Sequence, residues 1–384
     1  MKDYKDNFYN AIDYAIKKTK SPAYKLILLG IMGSLYVAIA YVAFIMIIAN
    51  FDGVITEKII NIKGVDTVVG KIINLHSGAL LAAAAIFPVG IILIIFLGGS
   101  LFTSDNLTMI AWITKKTPLA PIIVKWMYTL LGNIIGAFLI GAIIRAGNIL
   151  GNENYQLILG YLSGKKIALE WYYVIFSGIL CNIIVAGSVW ASLAAKHSSA
   201  KLFIIYFPIW LFAIVGFQHV VANAILFAMT WFYSIDPGEH KTILAGINLA
   251  SNHAVHELGW VPNFIINHTA PEEGLIDKIG IDLTKKIEDN WINLSNFSLS
   301  AIFENLLPAS IGNWFSGAIM LPYTYYYLSG WKKEHHIFEL NTSNENTSNE
   351  NTSNENTSNE NTSNENTSNE NTSNENTSNE NTSN

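Results

Sequence analysis

The chain has little charge, one arginine and one cysteine. Charged residues make up 14% of its 384 residues and hydrophobic residues 51%, whereas a typical soluble domain is about 25% charged. Because Cys181 is the single cysteine, a disulfide within the chain and a cysteine-rich metal site are excluded. The net charge is −6, but eight of the acids lie in a polar repeat at the carboxyl end, so no nucleic-acid partner is expected. This composition argues against an ordinary soluble enzyme.

Six apolar stretches are long enough to cross a membrane, since a bilayer core of about 30 Å takes about 20 apolar residues as a helix. The second and fifth are too long for one straight span and are interrupted near Gly98 and Gly216. The sequence therefore predicts an all-α transmembrane protein. The six predicted spans cover about residues 24–50, 78–113, 118–144, 171–195, 202–233 and 302–328.

Lysines at the ends of the spans predict the orientation. If the N-terminus is cytoplasmic, every cytoplasmic span end carries at least two lysines, and acids offset the lysines of the outer loops. We expect an integral protein of the cell membrane with both termini in the cytoplasm. The predicted parts are a cytoplasmic N-terminal segment (1–23), a six-span domain (24–331) with a long outer loop (234–300), and a cytoplasmic tail (332–384).

Two polar segments lie outside the spans. The long outer loop contains several histidines and glycosylation sequons at Asn267, Asn293 and Asn296. From Asn341 the tail repeats Asn-Thr-Ser-Asn-Glu eight times and contains no apolar residue. Such a segment cannot offset the entropy of ordering, so disorder is predicted for it.

The two halves of the chain resemble each other. Gly132-Asn133 in the third span matches Gly312-Asn313 in the sixth, and the two interrupted spans occupy corresponding places. With three spans in each half, the second half must be inverted relative to the first. Paired broken helices in inverted repeats indicate a transport site near the bilayer midplane. The alternative is that Gly98-Gly99 and Gly216 are simple kinks in packed helices.

His219 is the single histidine deep inside a predicted span. An ionisable residue at membrane depth is costly and usually faces a pathway, and an imidazole exchanges protons near physiological pH. We interpret His219 as a proton-handling residue. The alternative is a neutral core histidine held by hydrogen bonds.

Four motifs resemble those of the formate/nitrite transporter family. Their order and spacing agree with the family over about residues 10–331, except for most of the long loop, and the repeat tail has no counterpart. The motifs are Leu101-Phe102-Thr103-Ser104, Gly178-Ile179-Leu180-Cys181-Asn182, Phe217-Gln218-His219 with Ala222-Asn223, and Asn305-Leu306-Leu307-Pro308 with Ile311-Gly312-Asn313.

The resemblance implies an aquaporin-like six-span bundle assembled as a homopentamer in membrane lipid, with one pore in each protomer. The implied substrates are small monovalent anions such as formate, nitrite, hydrosulfide, acetate or lactate, together with protons; no cofactor is implied. By position, His219 is the central histidine, and Thr103 and Asn182 bracket the substrate with it. The hydrophobic constrictions match Phe87, Ile91 and Phe212. The vestibule lysines match Lys166 on the outer side, with neighbouring Lys165 as the alternative, and Lys20 on the inner side.

Two positions depart from the family, which commonly has an acid before the Leu-Phe-Thr run and another before the central histidine. This chain has Ser100 and Gln218 there. If an acid normally stabilises the imidazolium, Gln218 removes that charge. The alternative is that the acids are structural and that glutamine keeps their hydrogen bonds.

The sequence is also compatible with other functions. Within transport, a proton-coupled lactate exporter uses the same residues as a formate or nitrite channel. A neutral-solute channel is disfavoured because the Asn-Pro-Ala signature is absent from the sequence. An intramembrane enzyme would need a nucleophile near His219, such as Ser100, Thr103 or Asp105, and a structural membrane protein would make the repeat tail its functional part.

Overall fold

The longest helices of the protein are its most apolar segments. The structure is a computed structural model that describes residues 4–62, 65–235 and 299–331. Within those ranges it is mostly helical, because a backbone in hydrocarbon must satisfy its hydrogen bonds within its own segment. Five helical segments are long and apolar enough to cross a membrane: Ala23–Asn50, Ser77–Gly98, Leu119–Ala146, Trp171–Ser192 and Ser198–Val215.

The second predicted span is broken, as expected from its glycines. After a π-helical turn at Ile94–Gly98, the chain is non-helical over residues 99–101. Gly98 has φ 93°, a left-handed conformation that glycine adopts without strain. The helical pieces are α3 (Ser77–Ala84), α4 (Pro88–Leu93), α5 (Phe102–Asp105), a 3₁₀ turn (Asn106–Thr108) and α6 (Met109–Ile113).

The fifth predicted span is broken in the same way. Gly216 has φ 73° and ends the first helix with a left-handed residue. Its amide still donates to the carbonyl of Phe212, and a new helix begins after His219. The two pieces are α10 (Ser198–Val215) and α11 (Val220–Ser234).

The remaining predicted spans are helical. The sixth is not one uniform helix: Pro308 lies inside its first segment, and a π-helical turn follows at Phe315–Met320. None of its segments alone reaches 18 residues. The helices are α2 (Ala23–Asn50), α7 (Leu119–Ala146), α9 (Trp171–Ser192), and, for the sixth span, α12 (Leu299–Trp314) and α13 (Leu321–Ser329).

Four elements were not predicted from the sequence, because none of them is a long apolar run. The N-terminal segment forms α1 (Tyr4–Thr19), which buries Phe8 among the rings of Trp190 and Tyr326 at centroid distances of 6.4 Å. Between the first two spans lies an antiparallel hairpin with Ile55 paired to Ile73. The additional elements are α1, β1 (Ile55–Ile62), β2 (Val65–Ile73) and α8 (Glu153–Ile167).

Glycines let two pairs of helices approach closely. A Cβ at Gly132 on α7 would collide with the backbone carbonyl of Ile27 on α2. A Cβ at Gly312 on α12 would collide with the carbonyl of Ile175 on α9. Small residues at such contacts are how membrane helices pack, because lipid supplies no hydrophobic drive for association.

The chain divides into a unit ending at Ser329 and a second unit, Gly330–Asn384. Of the second unit the structure describes Gly330 and Trp331. The predicted outer loop beyond residue 235, its sequons and the repeat tail lie outside the described residues.

Candidate functional site

Asn133 ties the first break to the helices beside it. Its Oδ1 accepts from the backbone N–H of Phe102 at 2.9 Å. Its Nδ2 donates to the carbonyls of Gly30 at 2.8 Å and Ser100 at 2.9 Å. One buried amide thus supplies partners to the two backbone groups beside the interruption, the N–H of Phe102 and the carbonyl of Ser100, and ties them to Gly30 inside α2.

Asn313 does the same at the second break. Its Oδ1 accepts from the N–H of Val220 at 2.9 Å. Its Nδ2 donates to the carbonyls of Gly178 at 2.8 Å and Gln218 at 2.9 Å. The two asparagines make the same three hydrogen bonds at corresponding places in the two halves of the chain.

These contacts align the two breaks residue by residue. Phe102 corresponds to Val220, and the preceding residue is therefore Leu101 in the first half and His219 in the second. The same backbone arrangement therefore carries an imidazole at the second break and an aliphatic side chain at the first. The side chains, not the frame, make the two halves chemically different.

The hydrogen bonds of His219 define its protonation. Nδ1 accepts from the backbone N–H of Ala222 at 3.1 Å, so His219 is the N-cap of α11 and Nδ1 carries no hydrogen. The proton of the neutral ring is then on Nε2, which lies 3.0 Å from Oγ1 of Thr103. Nε2 therefore donates to the threonine, whose own hydroxyl hydrogen is left to donate elsewhere.

A small apolar cavity lies beside this imidazole. The ring of Phe212 is 5.8 Å from both the His219 ring and the Phe87 ring, centroid to centroid. The cavity measures about 10 Å³, which is room for about one water molecule. His219 is the one polar residue that lines it, and the others are Val37, Phe87, Ile91, Val185, Ile209, Phe212 and Ala222.

Asn182 lies close to this site but does not line the cavity. Its Nδ2 donates to the carbonyls of Thr103 at 3.1 Å and Asn313 at 2.7 Å. It is fully buried, and its hydrogen bond to Thr103 is made to the backbone carbonyl and not to the hydroxyl. Asn182 thus positions Thr103 in this structure.

The first departure from the family motif, Ser100, meets a lysine of α1. Lys18 donates to the Ser100 hydroxyl and lies 2.9 Å from Oδ1 of Asp105. Lys20, our sequence-based choice for the inner lysine, is instead exposed. Sequence reasoning missed the Lys18–Asp105 pair, because the carboxylate stands five residues after Ser100.

The second departure, Gln218, lies in an uncharged amide network. Its Oε1 accepts from Nδ2 of Asn223 at 2.8 Å and from Nδ2 of Asn305 at 3.4 Å. Glutamine therefore keeps acceptor hydrogen bonds at this position without a charge.

Lys166 reaches the second break from the last turn of α8. Its Nζ is 3.5 Å from the carbonyl of Gly216 and 3.4 Å from that of Phe217. These carbonyls follow the carboxyl end of α10, where a cation is favoured. Its neighbour Lys165 is exposed and lies 5.8 Å from the ring centroid of Tyr161.

The described residues bring neither a metal-binding cluster nor an activated nucleophile to this site. Among the described residues no cluster of histidine, cysteine or acid side chains could hold a metal ion. The hydroxyl next to His219 accepts a hydrogen bond from the ring, so the imidazole is not placed as its base. A neutral imidazole between two broken apolar helices characterises a membrane transport protein.

Comparison with known proteins identifies the family of this membrane protein. The family model described as formate/nitrite transporter matches residues 5–327. The chain therefore belongs to the formate/nitrite transporter family, whose members are membrane channels and transporters and not enzymes.

One relative and two solved structures illustrate the likeness. The chain is 30% identical to the formate channel FocA of Haemophilus influenzae over 243 residues, which cover 63% of this chain and 71% of the relative. An FNT family ion channel superposes with a TM-score of 0.58 at 18% identity, covering 84% of this chain and 98% of its own. A pentameric formate channel with formate bound superposes with a TM-score of 0.55 at 21% identity, covering 80% and 97%.

Proposed function

We propose that this protein conducts small monovalent anions of weak acids, formate and nitrite first among them, across the cell membrane. In this proposal six spans form two inverted three-span repeats around a pathway in each protomer. Five protomers assemble, as in the related pentameric formate channel, and both termini are cytoplasmic. Our candidate pathway residues are His219, Thr103, Phe87, Ile91, Phe212, Lys166, Lys20, Asn182, Gln218 and Ser100, and the contacts of Lys18 add it as a second candidate for the inner lysine.

One observation carries the proposal: a buried imidazole meets both broken spans. His219 begins the helix after the second break, and its Nε2 contacts Thr103 just after the first. Its remaining surroundings are the apolar cavity. An anion in hydrocarbon faces a severe penalty, and Nε2–H, the Thr103 hydroxyl and the positive ends of two helices are the groups that reduce it there.

The hydrogen bond to Ala222 sets a condition on proton transfer. His219 can take a second proton only at Nδ1, which then releases the N–H of Ala222. Losing such a bond costs about 1 kcal/mol, and the negative charge of an arriving anion offsets that cost. We propose that the anion pairs with the ring and receives its proton by way of it, so that it passes the apolar constrictions as the neutral acid.

The constrictions select for small solutes. The cavity beside His219 has room for about one water molecule, so Phe87 and Phe212 must move for a larger substrate to pass. Lactate requires a wider opening than formate or nitrite. This observation favours the one-carbon acid and nitrite over our second candidate, proton-coupled export of lactate.

Flux measurements in proteoliposomes test the proposal. We expect saturable uptake of labelled formate and of nitrite, slower uptake of lactate, and acceleration by an inward proton gradient. Glycerol uptake at the rate of protein-free liposomes is expected, since the pathway discriminates by charge. Glycerol flux without formate flux would make the protein a neutral-solute channel.

A truncated chain separates transport from a structural role. We expect a protein ending at residue 340 to carry formate at the rate of the full chain, because the predicted disordered repeat contributes no pathway residue. Loss of flux on truncation, with the protein still inserted in the membrane, would assign function to the tail.

A further inference from the structure

The lysine at the first break is neutralised by a carboxylate. The side chain of Lys18 is 14% exposed, and Nζ lies 2.9 Å from Oδ1 of Asp105. Burial alone would lower the pKa of Lys18, but Asp105 holds it above its usual range. The other oxygen of that carboxylate accepts from Oγ1 of Thr129 at 2.7 Å. This pair therefore presents little net charge to a passing anion.

The lysine at the second break occupies the corresponding position. Lys18 precedes Gly30 by 12 residues, Lys166 precedes Gly178 by 12 residues, and each glycine carbonyl accepts from the asparagine of its own half. The counterpart of Asp105, however, is uncharged. Asp105 stands three residues after Phe102, whereas Asn223 stands three residues after Val220.

No acid compensates Lys166 within the residues that the structure describes. Its Nζ contacts two backbone carbonyls, and the neighbouring Gln218 is neutral. The titratable groups that interact with it are Lys165 on its own helix, Cys181 on α9 and His219 before α11.

We infer that the two mouths of the pathway differ in charge: Asp105 neutralises Lys18, whereas Lys166, which no acid contacts among the described residues, keeps its charge and attracts anions from the α8 side. The difference in charge arises because Gln218 and Asn223 are neutral, whereas the first break has the carboxylate of Asp105. The inference rests on the proposed function for its consequence, a lower apparent KM for anions approaching from the α8 side than from the α1 side.

The charge of Lys166 depends on pH. Burial, and to a lesser degree the charge of Lys165, lower the pKa of Lys166 to about 8. The amine is therefore charged below pH 8 and becomes neutral as the pH rises through that value. The affinity from the α8 side should fall over pH 7–9, a range in which formate stays ionised and Lys18 stays charged.

Unidirectional uptake from each side tests the inference. Right-side-out and inside-out vesicles from cells expressing the full chain are given labelled formate at pH 7, and the apparent KM is measured. We expect Lys166→Gln to raise the KM about fivefold from one side and to leave the other within twofold. Lys165→Gln, which removes an exposed charge next to it, is the matched control and should change neither.

A carboxylate added at the second break is the complementary test. Gln218→Glu keeps an acceptor for Asn223 and Asn305 and should raise the same KM as Lys166→Gln does. The double variant should then show no further rise. Asp105→Asn, which frees Lys18, should lower the KM from the opposite side.

The outcomes separate the two proposals. The inference is wrong if Lys166→Gln raises the KM equally from both sides, or if it raises the KM by its full factor in the Gln218→Glu variant. Either result is compatible with the transport proposal. Parent vesicles without formate uptake contradict the transport proposal alone.

If the parent vesicles take up no formate, the inference is tested by the reactivity of the two lysines. Purified protein is acetylated with a small amine reagent across pH 6–10 and analysed by mass spectrometry. We expect the reaction of Lys166 to rise through about pH 8, while Lys18 reacts only in the Asp105→Asn variant. Identical titration of the two lysines in the parent protein would refute the asymmetry.

Discussion

Nε2 of His219 lies 3.0 Å from Oγ1 of Thr103, although the two residues are 116 positions apart in the chain. This hydrogen bond joins the helix start after the second break to the helix start after the first. Since Nδ1 is occupied by the N–H of Ala222, the threonine oxygen is the acceptor. The contact therefore defines both the tautomer of the ring and the direction in which the threonine hydroxyl donates.

Replacing Thr103 by valine should impair transport more than folding. The change removes the acceptor of a buried N–H and the hydroxyl that faces the anion. An unsatisfied buried donor costs about 1–3 kcal/mol, so we expect formate uptake to fall roughly tenfold. Thr103→Ser keeps the hydroxyl and should retain most of the rate. Equal rates in the valine and serine variants would show that the hydroxyl has no part in transport.

Two replacements of His219 distinguish its role as the N-cap of α11 from its role in proton transfer. His219→Phe removes both, whereas His219→Asn keeps an acceptor for the N–H of Ala222, since asparagine is a good N-cap. We expect both variants to lose the dependence of formate uptake on pH between 5 and 8, and His219→Phe to melt at a lower temperature. If either variant carries formate like the parent at every pH, His219 does not handle the proton.

Opening the constriction should change selectivity. Phe212→Ala removes the ring between Phe87 and His219, so a three-carbon acid should pass more easily. We expect the ratio of lactate to formate uptake to rise roughly tenfold, the low end of what one methylene is worth to an apolar pocket. Phe207→Ala on the same helix, at a side chain that is 55% exposed, is the control and should leave the ratio unchanged.

The asparagine at the second break should matter for stability. Asn313→Ala removes the partner of the Val220 N–H and of the Gln218 carbonyl at the break, and each unpaired buried group costs about 1–3 kcal/mol. We expect the melting temperature in detergent to fall well below that of the parent, and Asn133→Ala to act alike at the first break. Ser310→Ala, which removes one hydrogen bond within the same helix, should have a much smaller effect. A parent-like melting temperature for Asn313→Ala would contradict this role.

The sequence was a good guide to the elements that depend on local composition. Hydropathy located the long helices within a few residues, and the glycines at 98 and 216 located both breaks. It failed for α1, the hairpin and α8, because short amphipathic or polar elements carry a weak local signal. The sequence also did not indicate that Lys18 contacts Ser100 and Asp105, and the choice of Lys20 as the inner lysine stays a prediction.

Composition and spacing along the chain were enough to establish a membrane protein of two related halves with one imidazole at a break. Hydrophobic burial and backbone freedom are local properties, and they can be read residue by residue. Which side chains meet depended on packing: Asn133 and Asn313 bind the backbone at the two breaks, His219 contacts Thr103, and Lys18 contacts Asp105. Among the described residues, no acid contacts Lys166. Those contacts join positions far apart in the chain, and only the folded arrangement of the helices brings them within hydrogen-bonding distance.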